Sequence, residues 1–369
     1  MAERYELLFH DIVVLCFDRD IGECEVIDEG RIPFDLDLDK GQTVKAYARN
    51  INRFEGWCSG RILSLDRKYA KKILNYFGFT QSLDISDRAD IALSTRCLSL
   101  NDSFWVRKAG EQVSWDEVNL FDNTLLNSVF DIALLGHSGT LSNTELINPD
   151  ISTDGTAPKA WKREKDGFVL LKGESEEDSV LRETEGSMIL RGLGINATLY
   201  EKDTFQNYSV SRCKCFTSKD INFVRARSYK NWCDSKGKYF TQELDKFRDS
   251  FELMIIGDFL IGNADNHDRN WGFLYDNDMN IIGMNPLMDF DHAFLSSENE
   301  ICPPALFTRG RISQKQYALD LISSHESDIN WDIDLGSYKY GGYTKKRMEE
   351  LFNIGAIKDC ERSMINKNG

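Results

Sequence analysis

The sequence predicts an α+β protein of two lobes, preceded by a further N-terminal α+β unit. Three features carry this expectation. Residues 167–173 (Gly-Phe-Val-Leu-Leu-Lys-Gly) form a compact apolar strand, followed by an acidic helical run over 175–193 and an alternating strand over 208–216, the strand–helix–strand order of a small lobe. Between 241 and 261, Leu244, Phe247, Phe251, Met254, Ile255 and Phe259 make an apolar stripe of helical period that delivers the chain into an Asn/Asp-rich loop, 263–270. A short hairpin then leads from that loop to Asp289-Phe290-Asp291.

With 369 residues, the chain is long enough for two or three units. The expected division is 1–142, an N-terminal α+β domain; 143–216, a small lobe; and 217–369, a mainly helical lobe. Hydrophobic residues at 41% and charged residues at 28%, with only six prolines, describe an ordinary folded protein. A net charge of −15 disfavours non-specific attraction to nucleic acid or an anionic membrane, so neither is expected as a direct partner. The nine cysteines show no paired C-x-x-C spacing, which predicts reduced thiols in place of a zinc site or disulfide framework. The N-terminus lacks a basic segment followed by an apolar stretch, and no apolar run reaches membrane-spanning length, so a cytoplasmic location is expected.

In chain order, residues 1–50 read as strands and turns, exemplified by Ile12-Val13-Val14-Leu15-Cys16-Phe17. Tyr69, Ile73, Leu74 and Phe77 predict a helix over 65–79 closing at Gly78, and 116–135 is expected to be helical. The Asn-, Asp-, Ser- and Gly-rich stretch 143–159 reads as a loop and boundary. Two strands, 271–275 and 281–284, are joined by the turn Asp276-Asn277-Asp278, and the remainder from Ala293 is expected to be mostly helical.

The strongest chemical signal is Asp265-x-x-x-x-Asn270, a hairpin, then Asp289-Phe290-Asp291. Phosphoryl transfer needs a carboxylate near the attacking hydroxyl and oxygen ligands that hold Mg²⁺ against the phosphates. An Asn amide with an Asp carboxylate suits a hard cation that keeps some of its water. On this reading Asp265 orients or deprotonates the acceptor, while Asn270 and Asp289 hold metal.

These residues resemble the HipA-like kinases, whose catalytic loop reads much like Asn263-Ala264-Asp265-x-His267-x-x-Asn270 and whose metal motif reads like Pro286-Leu287-x-Asp289. A looser likeness links the stretch to phosphoinositide 3/4-kinases, where D-x-H-x-x-N precedes D-F-G-H; here Asp291 stands in place of the glycine, as an extra metal contact or a structural residue. The resemblance covers roughly 143–294. It implies a protein-kinase-like fold using ATP and Mg²⁺, with Lys172 on the phosphates and Glu183, favoured over Glu185, as its carboxylate partner. It further implies that Ser152, Thr153, Gly155 and Thr156 belong to a phosphate-contacting loop whose hydroxyls can themselves be phosphorylated, and that His267 assists the γ-phosphate or buttresses the loop. Family membership would imply a protein substrate bearing a Ser/Thr hydroxyl, a toxin–antitoxin setting, and a separate antitoxin or DNA-binding partner protein. Two other classes stay open: a lipid or small-molecule kinase or nucleotidyltransferase on the same fold, and a nucleotide-binding pseudokinase module.

Other motifs point elsewhere and fail. Gly136-His137-Ser138-Gly139-Thr140 has Thr140 where a nucleophile elbow needs glycine. Arg225, Arg227 and Lys230, interleaved with Tyr229 and Trp232, read as a solvated basic face, and Cys213-Lys214-Cys215 as strand packing. Arg269 either neutralises phosphate or pairs with Asp268 or Asp291.

Overall fold

Alternating apolar residues at the N-terminus build an antiparallel sheet from β1 (Arg4–Phe9), β2 (Ile12–Asp18), β3 (Cys24–Val26) and a strand from later in the chain, in the order β3-β2-β1-β4. The structure is a computed structural model and describes residues 3–76, 84–123, 127–136, 152–153, 155–297 and 299–352. Leu7, Leu8 and Phe9 of β1 are buried, and the sheet is covered by helices α1 (Val44–Ser59), α2 (Ala70–Tyr76) and α3 (Ile85–Ser94) before β4 (Phe104–Lys108) completes it. Helix α1 begins inside the stretch expected to hold only strands and turns. Its buried positions Ala46, Asn50, Phe54 and Trp57 have helical spacing, but Asn50 breaks the apolar stripe. That asparagine is buried because its side chain accepts from the Asp39 N–H at 2.7 Å and donates to the Asp39 carbonyl at 3.0 Å. Thr43 caps the helix by accepting from the Ala46 N–H at 3.1 Å.

The helix expected over 116–135 is two helices, α4 (Trp115–Val118) and α5 (Asn127–Leu135). Asn119 ends the first: its Oδ1 accepts from the Asp122 N–H at 2.8 Å and its Nδ2 donates to the Trp115 carbonyl at 3.1 Å, offering the backbone an alternative to helix. Helix α2 starts at Ala70 and not at Leu65, and its expected stop at Gly78 lies outside the described residues, as do the boundary at 142/143 and residues 137–140.

The second sheet consists of β5 (Lys159–Glu164), β6 (Gly167–Gly173), β7 (Glu201–Phe205) and β8 (Tyr208–Lys214), ordered β5-β6-β8-β7, with α6 (Ser179–Gly192) between β6 and β7. Two of these strands carry too little apolar alternation to be read from sequence. β7, Glu-Lys-Asp-Thr-Phe, is an exposed edge that exists because β8 pairs with it across a turn at Gln206 and Asn207, both at positive φ. Helix α6 starts at Ser179, four residues later than expected, because Asp178 takes φ +63° and Glu174 accepts from Ser179 Oγ at 2.7 Å and the Val180 N–H at 3.0 Å.

A third sheet, β11-β10-β9, is formed by β9 (Asn222–Arg225), β10 (Gly272–Tyr275) and β11 (Ile281–Met284). Helices α7 (Ala226–Ser235), α8 (Phe240–Asp245), α9 (Arg248–Ile261), α10 (Gln314–His325) and α11 (341–352) surround it. The single helix expected over 241–261 is interrupted between Asp245 and Arg248, yet Leu244 and Phe251 enter the same core on either side. That core joins Ile189 and Leu190 of α6, and Leu193 just after it, to Met254, Ile255, Ile256, Phe259, Leu260 and Ile261 of α9 and to Trp271, Phe273 and Phe290. A second core joins the N-terminal sheet and its helices to Ala160, Val169, Leu171 and Val210 of the second sheet. The N-terminal unit is therefore packed onto the small lobe through shared apolar side chains. Among the described residues no helix is long and apolar enough to cross a membrane.

One buried ion-pair cluster staples the helical lobe. His325, 3% exposed, meets Glu252 through Nε2 at 2.7 Å and Asp328 through Nδ1 at 2.9 Å. Burial opposes its charge, but the two carboxylates outweigh that and raise its pKa. A folded-state pKa above the unfolded one stabilises below the unfolded value and loses that contribution as pH rises through the raised one. His325→Gln is accordingly expected to lower stability by about 1 kcal/mol near pH 6 and by progressively less toward pH 8. Thermal melts of both proteins across that range check it, and a difference that does not shrink with pH would contradict it.

Candidate active site

Strand β6 carries Lys172 into the interior at its end, where register places Lys159 on one neighbouring strand and Ser211 on the other. Lys172 is 4% exposed, and its ammonium donates to Glu183 of α6 and, at 2.7 Å, to Asp289 Oδ1. The second Glu183 oxygen accepts from Ser211 Oγ. Tyr200 lies beneath the ammonium, 5.6 Å from ring centre to Nζ, and its hydroxyl accepts from the Asp289 N–H at 3.4 Å. Burial disfavours the Lys172 charge, but Asp289 and Glu183 outweigh it and hold the pKa well above the usual lysine value. Burial pushes Glu183 up, partly countered by Lys172. Burial also acts on Asp289, but Lys172 and then Lys159 overcome it and keep the carboxyl below its ordinary range. Asp289 itself sits at φ +67°, a left-handed conformation that Asp tolerates better than most residues.

The loop after α9 is built around a buried carboxyl group. Gly262 ends the helix at φ +61°, and a Cβ there would lie 2.0 Å from Tyr343 Oη. Asp258, 1% exposed in the last turn of α9, accepts from Asn266 Nδ2 at 2.5 Å and Asn263 Nδ2 at 3.3 Å. Burial, opposed by these two amides, pushes its pKa up to about 8. Gln314 of α10 donates to the Asn263 carbonyl at 2.6 Å from the other side. With the loop held, the Asp265 carbonyl accepts from the His267 N–H at 2.7 Å and from Asn270 Nδ2 at 3.0 Å. Since Nδ2 of Asn270 is committed to that carbonyl, Oδ1 is left for another partner. The Arg269 N–H donates to His267 Nδ1 at 3.3 Å, which leaves Nε2 as the protonated ring nitrogen. Burial raises the Asp265 pKa, with His267 and His292 opposing.

Asp258→Ala leaves two buried amides without their acceptor. It is expected to destabilise the protein by about 2–4 kcal/mol, since two buried amide donors lose their acceptor at about 1–3 kcal/mol each. Denaturant unfolding measures this; a change under about 0.5 kcal/mol would show the loop is held by other contacts.

Asp265, His267, Asn270, Lys172 and Asp289 line one cleft of 370 Å³, within the range of small-molecule sites. Ser152, Thr153, Gly155 and Thr156 border the same cleft from the loop before β5. Trp161, Leu170, Cys213, Phe216 and Phe223 add apolar lining to the cleft, and Trp161 Nε1 donates to Thr153 Oγ1 at 2.9 Å. Lys159, 7% exposed, reaches back beneath the loop, where a Cβ on Gly155 would lie 2.3 Å from its ammonium. Burial and then Lys172 lower its pKa to about 8. Among the described residues no three His, Cys, Asp or Glu side chains converge as a metal cage. Asn270 Oδ1 and the Asp289 oxygen not used by Lys172 both belong to residues lining the cleft and are hard oxygen donors that could hold Mg²⁺, which is commonly held by one or two protein groups and water.

No family model matches the sequence, and a search of curated proteins finds no match. Among solved structures, HipA of Shewanella oneidensis MR-1, from a toxin–antitoxin complex with HipB and operator DNA, superimposes with a TM-score of 0.52 at 14% identity, covering 94% of this chain and 95% of that one. The chain has a HipA-like kinase fold. A Helicobacter pylori proinflammatory kinase, CtkA, is also similar, with a TM-score of 0.42 and 16% identity over 57% of this chain and 93% of that chain.

Within the HipA-like fold, the packing shows where several residues for which the sequence left alternatives are placed. Glu185 is turned away from Lys172 and accepts from the Lys339 and Tyr340 N–H groups, both at 2.9 Å. Asp268 pairs with Arg227, while Arg269 borders the cleft. The Asp291 carbonyl accepts from Arg182 Nε at 2.6 Å. The basic cluster is partly neutralised: besides Arg227, Lys230 bonds Asp234 at 2.7 Å, and Tyr229 is buried in the helical core. The eight cysteines among the described residues are free thiols. Sequence reasoning missed Lys159, Ser211, Tyr200 and Asp258. Lys159 alone had a local signal, as the lysine that ends the Ser/Thr/Gly-rich loop.

Proposed function

We propose that the protein is an ATP- and Mg²⁺-dependent phosphotransferase, a HipA-like serine/threonine protein kinase. The observation that carries this reading is the meeting of Lys172 with both Glu183 and Asp289 at the edge of a cleft that also holds Asp265 and Asn270. A buried lysine kept charged by two carboxylates is suited to receive phosphate oxygens. Lys159 adds a second cation beside it. Asn270 and Asp289 would hold the magnesium ion, which would supply positive charge against the phosphates. Asp265 would take the proton of the acceptor hydroxyl as its oxygen bonds the γ-phosphorus and the bond to the ADP oxygen breaks. His267 would lend Nε2–H to the transferring group, and the apolar lining of the cleft suits a nucleobase.

Ser152, Thr153 and Thr156 border the same cleft and are the proposed sites of autophosphorylation. The HipA of S. oneidensis is bound to HipB and operator DNA; by analogy, a separate antitoxin or DNA-binding protein is the proposed partner, and the charge of −15 favours operator contact through that partner. A cytoplasmic site of action is part of the same proposal. Intact mass after incubation with Mg²⁺-ATP, for the wild type and Asp265→Asn, followed by peptide mapping, tests the reading. Phosphate increments in the wild type alone support it. An adenylyl increment would redirect it to nucleotide transfer. No increment, together with no ATP turnover on added protein acceptors, would defeat it.

A further inference from the structure

The N-terminal unit forms one wall of the cleft through Ser64, Asp66, Ser99, Leu100 and Asn101. The two residues that follow Asp66 are bonded to the phosphate-facing loop along its length. Arg67, 2% exposed, donates through Nη1 to the Thr153 carbonyl at 3.2 Å and through Nη2 to the Lys159 carbonyl. The next N–H, of Lys68, donates to the Thr156 carbonyl at 2.9 Å. Three carbonyls of one loop are thus gathered by adjacent residues of a different unit.

The anchor is itself rigid. The Arg67 N–H bonds the Ser64 carbonyl at 3.1 Å, the Ala70 N–H bonds the Arg67 carbonyl at 2.9 Å, and Tyr69 sits at φ +68° with its ring where a Cβ on Gly136 would lie 2.4 Å away. Two further bonds reach the loop from the second sheet: the Gly173 N–H donates to the Pro158 carbonyl at 2.8 Å and Trp161 Nε1 to Thr153 Oγ1 at 2.9 Å. The planar guanidinium fork, with fixed donor directions, sets the spacing of two carbonyls in a way that a single ammonium does not. Arg67 also places a third buried cation near Lys159 and Lys172, on a protein that is otherwise strongly acidic.

We propose that Arg67 is the positioning residue through which the N-terminal unit holds Thr153, Thr156 and Lys159 in their phosphate-binding arrangement. The inference rests on the kinase reading above and assigns the N-terminal unit a part in nucleotide binding. The full-length protein, with Arg67→Lys and Arg67→Ala, is titrated with a fluorescent ATP analogue and Mg²⁺, and ATP KM and kcat are measured for phosphorylation. Arg67→Lys is expected to weaken nucleotide binding and raise KM about tenfold, the equivalent of one charged hydrogen bond, with kcat changed less than about threefold. Hydrogen exchange of amides 155–160 is expected to quicken in this variant while that of α9 does not. Arg67→Ala is expected to weaken binding further; if it fails to fold, the charge-preserving lysine variant still decides. Arg67→Lys with a lowered melting temperature but wild-type nucleotide affinity and loop exchange would overturn the proposal. A wild type that binds no nucleotide would instead bring down the kinase reading itself, and this inference with it.

Discussion

Asp265→Asn is expected to lower kcat for phosphoryl transfer by about 10²–10⁴-fold, the usual contribution of a positioned general base, while ATP KM changes less than about twofold. The contacts that place this residue run through its backbone: its N–H to Asn263 Oδ1 at 3.3 Å and its carbonyl to the His267 N–H and to Asn270 Nδ2. An amide at the same position leaves them in place, so stability is expected to stay within about 0.5 kcal/mol of wild type. Burial raises the Asp265 pKa against the opposing pull of His267 and His292. Because the base acts in its ionised form, the wild-type rate should climb with pH through that raised value and then level, and the variant should lack this limb. Steady-state kinetics between pH 4 and 8 measure it. A variant retaining a tenth or more of wild-type kcat would remove Asp265 from the chemistry.

Lys172→Met carries the largest expected effect on stability. It removes the cation from a cluster in which Glu183 is 1% exposed. Breaking a buried pair from one side costs about 3–5 kcal/mol, because the remaining charge is left without a partner. Asp289, one-third exposed by its side chain at 33%, is screened by water and should contribute little to that loss. The sign of the pH dependence follows from Glu183. Its pKa is already raised by burial, and loss of Lys172 raises it further, so the folded variant binds a proton more readily than the unfolded chain. The variant is therefore least penalised at acidic pH and most penalised above the raised pKa. Lys172→Met combined with Glu183→Gln should recover part of the stability at pH 8 and none of the nucleotide affinity. Urea unfolding at pH 5 and pH 8 with nucleotide titration checks both; a single variant as stable as the wild type at pH 8 would contradict the pairing.

Much of the candidate site was legible because its signals are local. A lysine at the end of an apolar strand, the Asp265-to-Asn270 spacing at the end of a helix, and an aspartate after a hairpin each span only a few residues. Chain stiffness, helical period and turn chemistry act over the same range. The same locality explains the errors. Asn50 interrupted a real helix because its hydrogen bonds, to Asp39, lie outside the periodic pattern. Strand β7 exists through pairing with β8 and not through its own composition.

The sequence by itself determined that a strand-end lysine, an Asp/Asn loop and a later aspartate occur in the order of a two-lobed fold. It did not determine which groups meet. Glu183 and Glu185 are two residues apart, about 200° around a helix, so they face opposite sides; packing of α6 put Glu183 on Lys172 and Glu185 on the 339–340 backbone. The contact between Lys172 and Asp289 spans 117 residues, and that between Arg67 and Thr153 spans 86. Such encounters depend on how helices and sheets bury their apolar faces against one another, a property of the shared cores and not of any short window of sequence. Tertiary structure therefore decided that the N-terminal unit bonds to the loop carrying Thr153 and Thr156, and that Lys159 lies beside Lys172.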